Sequence, residues 1–312
     1  MKTMKAVCIY SYGGPEVLSY EDAPRPHPHE GEVLVRVHAA GINPIDWKVR
    51  AGLLQGMLHH TLPLILGWDV SGVVEALGSG LTRLKLGDEV FSRPDPSRDG
   101  AYAEFIVIKE SEVALKPKSI DHLHAAALPL AGLTAWQTLF EAAALTAGQR
   151  VLIHAAAGGV GHLAVQLAKW RGAHVIGTAA ERNHDFLRKL GADQVIDYDT
   201  QRFEEAVQPV DAVLDTIGGD TQARSWKVIK PGGILVSIAS PPSPETAAAH
   251  GVRQAFVFTQ SNDTQLAEIA RLADAEKIKA IVETILPLSD ATRGQELSQR
   301  GHTCGKIVLR VV

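Results

Sequence analysis

The sequence predicts an α/β protein in which a doubly wound parallel sheet is joined to a smaller, mainly antiparallel β domain. Two observations predict it. From residue 149 onward, apolar strand-length runs alternate with helical patterns, and such alternation builds a parallel sheet with helices on both faces. The first 120 residues carry short β-branched runs separated by glycine and proline, the pattern of an antiparallel, partly closed β domain. With 312 residues the chain has room for two domains, each with its own core.

In the β domain, strands are expected at residues 5–10, 32–40, 69–77, 88–91 and 102–109, which alternate or run apolar between turns. Residues 125–144 read as two helical stretches broken near 130–132. Strands follow at 150–154, 174–178, 194–197, 212–215, 234–237 and 255–258, and helices at 159–171, 182–191, 221–228 and 264–275. Residues 240–245, with Pro241, Pro242 and Pro244, read as a loop. The run 305–312 is a strand that returns to the first domain and makes it discontinuous.

The most informative stretch is 151–169. The strand Val151-Leu152-Ile153 enters a turn of small residues, and the turn opens an apolar helix. Gly158 lets the backbone approach a pyrophosphate, and Gly161 lets the helix pack closely on the sheet. The first N–H groups of a helix lack intrahelical acceptors and carry the positive end of its dipole, so Ala157, Gly158, Gly159, Val160 and Gly161 are candidates to hold a phosphate. The alternative is an ordinary tight strand–helix turn.

Bulk properties exclude several classes. A composition of 46% apolar and 21% charged residues is that of a soluble globular enzyme. The net charge of −4, with scattered Lys and Arg, leaves no electrostatic footprint for nucleic acid. No apolar run approaches the roughly 20 residues of a membrane helix. The first strand begins near the N-terminus, which leaves no room for a signal peptide, and Cys8 and Cys304 lie far apart. A reduced, cytoplasmic protein is therefore expected.

Short segments along nearly the whole chain carry a family resemblance. They are Gly13-Gly14-Pro15-Glu16-Val17-Leu18, Ala40-Gly41-Ile42-Asn43-Pro44-Ile45-Asp46, Pro63-Leu64-Ile65-Leu66-Gly67-Trp68-Asp69, Gly87-Asp88-Glu89-Val90-Phe91, Ala131-Gly132-Leu133-Thr134-Ala135-Trp136, the glycine turn, Gly191-Ala192-Asp193, Asp215-Thr216-Ile217-Gly218-Gly219 and Gly305-Lys306-Ile307-Val308. Each is unspecific alone; their order and spacing together are specific. The chain resembles the zinc-free quinone oxidoreductase branch of the medium-chain dehydrogenase/reductase superfamily. The resemblance implies a GroES-like catalytic β-barrel domain (1–122 and 287–312), a Rossmann NADP-binding domain (123–286) and an active site in the cleft between them. It also implies a homodimer formed through the edge strands of the dinucleotide sheets, with residues 255–258 as the candidate edge. Ala155 departs from the pattern, since many relatives carry glycine there.

Zinc-dependent members of the superfamily hold their catalytic metal with Cys, His and Cys. By motif position those ligands are Asn43, Trp68 and Leu130 here, and an amide, an indole and an isobutyl group cannot build a zinc site. The structural-zinc cysteines are also missing from residues 92–100. His59 with His60, and His122 with His124, read as solvated loop residues. No metal is expected. Without a Lewis acid to hold an alkoxide, the accessible substrates are already activated: quinones, or alkenes conjugated to a carbonyl.

NADPH is the expected cofactor. The second dinucleotide strand ends Gly177-Thr178-Ala179-Ala180, with no acid at its tip to bind ribose hydroxyls. Arg182 follows and can meet a 2′-phosphate bidentately, and Tyr198 matches the tyrosine that contacts that phosphate in this branch. Glu181 is the counter-argument, since it lies where an NAD-binding acid can sit; its other reading is a first-turn helix residue suited to the dipole.

The remaining site candidates each have a bland counterpart. The resemblance places Asn43 beside the nicotinamide ribose or substrate and Asp46 behind it, whereas both are also good turn formers. Trp68 either floors a substrate pocket or packs in the core. Thr134 matches the threonine under the nicotinamide, or back-bonds within its helix. Ile217, Ala239 and Ser240 follow strand ends that line the ligand crevice in this architecture. Phe258 stands near the nicotinamide or in the core, and Lys306 is a cleft lysine or a strand-edge one. The expected function is hydride transfer from NADPH to a small-molecule quinone or enone. The alternatives are an enoyl-thioester reductase and an NADPH-binding protein with little catalysis.

Overall fold

The computed structural model describes residues 2–312. Two compact units are present. The first holds residues up to 130 together with 261–276 and 280–312, and the second holds residues 131–260 with 277–279.

The first unit opens with the antiparallel pair β1 (Thr3–Ile9) and β2 (Leu18–Pro24). Then come β3 (Glu32–Ile42), α1 (Pro44–Arg50), β4 (Leu64–Ile65), β5 (Val70–Leu77), β6 (Glu89–Ser92), β7 (Phe105–Lys109), β8 (Val113–Leu115) and the short α2 (His122–Ala125). β4 joins β1 to complete a three-stranded sheet. β3 runs through the middle of the larger sheet, between β5 and the C-terminal strand, and β7 also pairs with it. Its eleven residues are almost wholly buried, which matches their run of Val, Leu and Ala.

The second unit begins along α3 (Pro129–Trp136), which continues as one π-helical stretch, Gln137–Ala142. The break before α3 falls at residues 126–128, not at 130–132. Pro129 supplies the fixed φ of a first helical position and the helix runs through Gly132. Strands and helices then alternate: β9 (Arg150–Ile153), α4 (Gly161–Trp170), β10 (His174–Ala179), α5 (His184–Lys189), β11 (Gln194–Asp197), α6 (Phe203–Ala206), β12 (Val210–Asp215), α7 (Gly219–Ser225), β13 (Ile229–Ser237), α8 (Pro244–Ala249) and β14 (Arg253–Phe256). All pairs are parallel and the order is β11-β10-β9-β12-β13-β14. This is the doubly wound order 3-2-1-4-5-6, whose direction reverses between β9 and β12. Leu152, Ile176, Val213 and Leu235 from four adjacent strands share one core with Phe203 and Trp226.

Two expectations are corrected here. Residues 240–245 are not all loop: Ser243 accepts the Thr246 N–H at 3.1 Å and caps α8, with Pro244 in its first turn. The last strand of the sheet ends at Phe256, so Phe258 lies beyond it.

After the second unit the chain forms α9 (Asp263–Asp274), β15 (Val282–Pro287), α10 (Ala291–Arg300) and β16 (Lys306–Arg310). The unit boundaries therefore differ from the expected 122/123 and 286/287. Residues 123–130, 261–276 and 280–286 belong to the first unit because of their bonds. Asp274 accepts the Ser119 N–H at 2.8 Å, Asp263 pairs with Arg83 at 2.6 Å, and β15 lies parallel to β16. Leu123, Ala126 and Ala127 pack with Ala39 and Val308.

Candidate active site

In the first unit the candidate residues converge on a buried cluster at the end of β3. The Lys306 ammonium, 3% exposed at the start of β16, donates to Asp69 Oδ2 at 3.0 Å, to Ile42 O at 3.3 Å and to Asn43 Oδ1. Asn43 Nδ2 donates to the same Asp69 oxygen at 2.8 Å. The other oxygen, Oδ1, accepts the Leu130 N–H at 2.7 Å. Asp69, wholly buried, is the hub of this cluster, and the sequence reading singled it out only as part of a motif.

Beside it, Asp46 caps α1 by accepting the Asn43 N–H at 2.7 Å, and it also accepts the Tyr102 hydroxyl at 2.8 Å. Burial pushes the Asp46 carboxyl up to about 7, against the pull of those two donors and of the Lys306 charge. The same burial, with the Asp46 charge, drives the Tyr102 phenol well above its ordinary value.

These side chains face inward. Asn43 and Lys306 are buried on Asp69 and do not present themselves to solvent, which corrects the reading of Lys306 as a strand-edge lysine. Trp68 is 0% exposed and its indole N–H donates to Arg98 O at 3.0 Å, so it packs in the core and does not floor a pocket. His122 is not a solvated loop residue either. Its ring stacks on His38 at 4.3 Å, and Nδ1 lies 2.8 Å from Ser71 Oγ.

The positions that zinc ligands occupy in metal-dependent members do not fit zinc in this chain. The Asn43 amide is spent on a carboxylate and an ammonium, the Trp68 nitrogen is a donor only, and Leu130 contributes a backbone N–H. Among the described residues no three His, Cys, Asp or Glu side chains group as metal ligands.

In the second unit the glycine turn lies at the C-terminal end of β9, at the reversal of strand order. Gly161 is required there: a Cβ would come within 2.4 Å of Ala155 O and 2.7 Å of the Ala156 carbonyl carbon. Gly158 differs, since a Cβ would meet only Ala155 O, at 3.3 Å, and otherwise enter open space. The turn thus leaves room for a ligand against the backbone at Gly158, ahead of the ten-residue α4. A dinucleotide pyrophosphate fits that combination. Ala157 is buried, while Gly158, Gly159 and Val160 are half-buried.

Asp215 organises the neighbouring strand ends. Its Oδ1 accepts the N–H groups of Ile217 (3.0 Å) and Gly218 (2.8 Å), and its Oδ2 accepts from Gln222 Nε2 and Ser237 Oγ, each at 2.9 Å. Ser237 Oγ in turn receives the Ala239 N–H at 3.2 Å, and Gln222 donates to Ser240 O at 3.1 Å. One buried carboxylate thereby shapes both loops that carry Ile217, Ala239 and Ser240. Ile217 is 53% exposed and Tyr198 47% exposed, and Arg182 is exposed in the single turn Glu181–Asn183. Thr178 and Thr134 are buried instead. The Thr178 hydroxyl bonds His154 Nδ1 at 3.1 Å, and Thr134 Oγ1 bonds Thr259 Oγ1 at 2.6 Å. Thr138 back-bonds within the same helix, donating to Thr134 O at 2.7 Å.

Residues 29–118 match the alcohol dehydrogenase GroES-like domain family, and residues 190–309 match the zinc-binding dehydrogenase family. The human mitochondrial NAD(P)H oxidoreductase RTN4IP1 is 35% identical, over 99% of this chain and 89% of that protein. The chloroplastic NADPH-dependent alkenal/one oxidoreductase of Arabidopsis thaliana is 36% identical, over 99% of this chain and 80% of that protein. The solved structure of the Coxiella burnetii quinone oxidoreductase is 39% identical with a TM-score of 0.92, and each chain is covered completely. The chain belongs to the medium-chain dehydrogenase/reductase superfamily. Within that superfamily it is an oxidoreductase using a nicotinamide cofactor. Membership also corrects one expectation. The relatives are named mitochondrial and chloroplastic proteins, so the sparse cysteines do not mark a cytoplasmic protein. Among the described residues no helix is long and apolar enough to cross a membrane.

The Asp46 environment has a measurable consequence. The folded carboxyl keeps its proton up to about 7, whereas an ordinary one loses it near 3.8. Its contribution to stability is full below the lower value and is lost as pH rises through the upper one. Relative to the parent, Asp46→Asn should therefore gain stability steadily between about pH 4 and pH 7, by up to about 1.4 kcal/mol per pH unit. Urea unfolding across that range checks it; a stability difference that ignores pH contradicts it.

Proposed function

We propose that this chain transfers a hydride from NADPH to quinones or α,β-unsaturated carbonyl compounds, and does so without a metal. The observation that carries the reading is the open backbone at Gly158, set at the strand-order reversal of a 3-2-1-4-5-6 sheet and ahead of a ten-residue helix. The names of its relatives, NAD(P)H, quinone and alkenal/one oxidoreductases, support the same chemistry. When bound, the reduced nicotinamide supplies the hydride.

The chain's own residues then have distinct tasks. The Gly158–Val160 backbone and the start of α4 hold the pyrophosphate. Arg182 and Tyr198, both exposed, take the 2′-phosphate. The Ile217–Gly218 and Ala239–Ser240 loops, with Phe258, line the ligand surface, and buried Thr134 and Thr178 shape it from behind. In the first unit, Lys306 and Asp69 fix Asn43, and Asp46 fixes the start of α1. Conjugation in the substrate carries the charge that a metal carries elsewhere, and water returns the proton. The edge strand β14, which pairs with β13 at the end of the sheet and carries the exposed Phe256, is the proposed homodimer contact.

NADPH consumption with a panel of quinones and conjugated enals, repeated with NADH, tests the reading. Turnover with NADPH is expected, with NADH weaker. Arg182→Ala should weaken NADPH about ten- to a hundredfold and spare NADH, because it removes one charge-assisted phosphate contact. Equal losses for both cofactors contradict the assignment of Arg182, and the absence of turnover on every acceptor contradicts the function. Light scattering at micromolar concentration should return twice the mass of one chain; a single-chain mass rules out the dimer.

A further inference from the structure

His154 directly follows β9 and contacts none of the proposed ligand groups, yet every polar group it has is engaged. It is 1% exposed. Its N–H donates to Leu214 O at 3.0 Å and its carbonyl accepts the Thr216 hydroxyl at 2.8 Å. Ser225 Oγ gives its proton to Thr221 O at 2.7 Å, so toward the imidazole it can only accept, and Nε2–H donates to it at 2.9 Å. That bond decides the tautomer. Nδ1 is left without a proton and accepts the Thr178 hydroxyl at 3.1 Å, while Thr178 Oγ1 accepts the Ala155 N–H at 3.3 Å.

The result is one directional chain of donors from the Ala155 backbone through Thr178 and His154 to Ser225 and Thr221 O. Phe203 meets the imidazole edge-on, 4.7 Å between ring centres, and shields it. Ala155, the first residue of the turn, holds φ at +44°, a left-handed conformation that disfavours any residue with a Cβ and persists only when its surroundings impose it. The chain of donors begins at the N–H of that residue.

We propose that His154 is a positioning residue for the dinucleotide: in its Nε2–H tautomer it locks Ala155 and so holds the turn 155–161 in the shape that receives the pyrophosphate. This rests on the reading that the turn is the nucleotide site. Burial, which pushes the imidazole down to about 4, keeps it in the neutral form this arrangement requires.

The test compares ligands that contain the pyrophosphate, NADPH and ADP-ribose, with 2′-AMP, which carries neither of its phosphates. Binding is measured by calorimetry on folded protein verified by circular dichroism. His154→Phe keeps an aromatic ring and removes both nitrogens; Thr178→Val removes the partner of Nδ1. Each should weaken NADPH and ADP-ribose about ten- to a hundredfold, the effect of orphaning a buried hydrogen-bonding group, and leave 2′-AMP within about twofold. The double variant should be little worse than either single one, because both break the same chain. Should His154→Phe fail to fold, Thr178→Val and the milder Ser225→Ala carry the same comparison. Equal weakening of all three ligands indicates general loosening and overturns the proposal, as does unchanged ADP-ribose affinity. Gly158→Val separates the two readings. If it abolishes NADPH binding while His154→Phe and Thr178→Val do not weaken it, the nucleotide site stands and the positioning role falls. If Gly158→Val binds NADPH normally, both fall.

Discussion

The ion pair between Lys306 and Asp69 is the contact on which the first unit depends. Both charges are buried, and removing two charges from water costs several kcal/mol each, so the pair is stable only if further groups satisfy its remaining valences. The Asn43 amide, the Ile42 carbonyl and the Leu130 N–H do so. In consequence one cluster joins the C-terminal strand, the end of β3, the approach to β5 and the start of α3. The close packing reaches the backbone: a Cβ at Gly41 would lie 2.5 Å from Ala126 O and 2.9 Å from Asp69 Cβ. Two positions that carry metal ligands in zinc-dependent dehydrogenases, Asn43 and Leu130, are thereby absorbed into internal bonding. A fixed ammonium supplies positive charge in this cluster.

The second unit follows the same logic with hydrogen bonds in place of a salt bridge. Asp215, wholly buried, takes four donors and shapes two loops; His154 takes one bond on each ring nitrogen, and its partner Thr178 accepts the first N–H of the turn. Buried polar networks are costly when incomplete and rigidifying when complete. Both are placed at the C-terminal ends of strands, where this architecture binds ligands, so rigidity is concentrated at the proposed dinucleotide surface.

Much of this architecture is legible in the sequence because it rests on residue types that local geometry demands. The Gly158–Gly161 turn between an apolar strand and an apolar helix reads directly, since only glycine tolerates the approach seen at Gly161. Strand–helix alternation likewise gives the parallel sheet. What does not read is partnership at a distance. Lys306 and Asp69 are 237 residues apart, and nothing local in Gly305-Lys306-Ile307 distinguishes a buried cation from an edge lysine. Trp68 illustrates the same ambiguity, because a core indole and a pocket floor have one sequence signature. The α8 helix was hidden by three prolines, one of which suits a first helical turn, and its Ser243 cap was the available signal. Asp215 stood in a quoted motif, but four donors converging on one carboxylate exist only once β12, β13 and α7 are folded together.

A thermodynamic cycle on the buried pair measures how far each charge depends on the other. Unfolding free energies are measured for Lys306→Met, Asp69→Asn and the double variant. If each charge is held in place by the other, removing Lys306 alone should cost about 3–5 kcal/mol by stranding a buried carboxylate. Adding Asp69→Asn should then cost far less than it does in the parent, giving a coupling of at least about 1 kcal/mol. Costs that simply add, with no coupling, would contradict the claim that this pair organises the site.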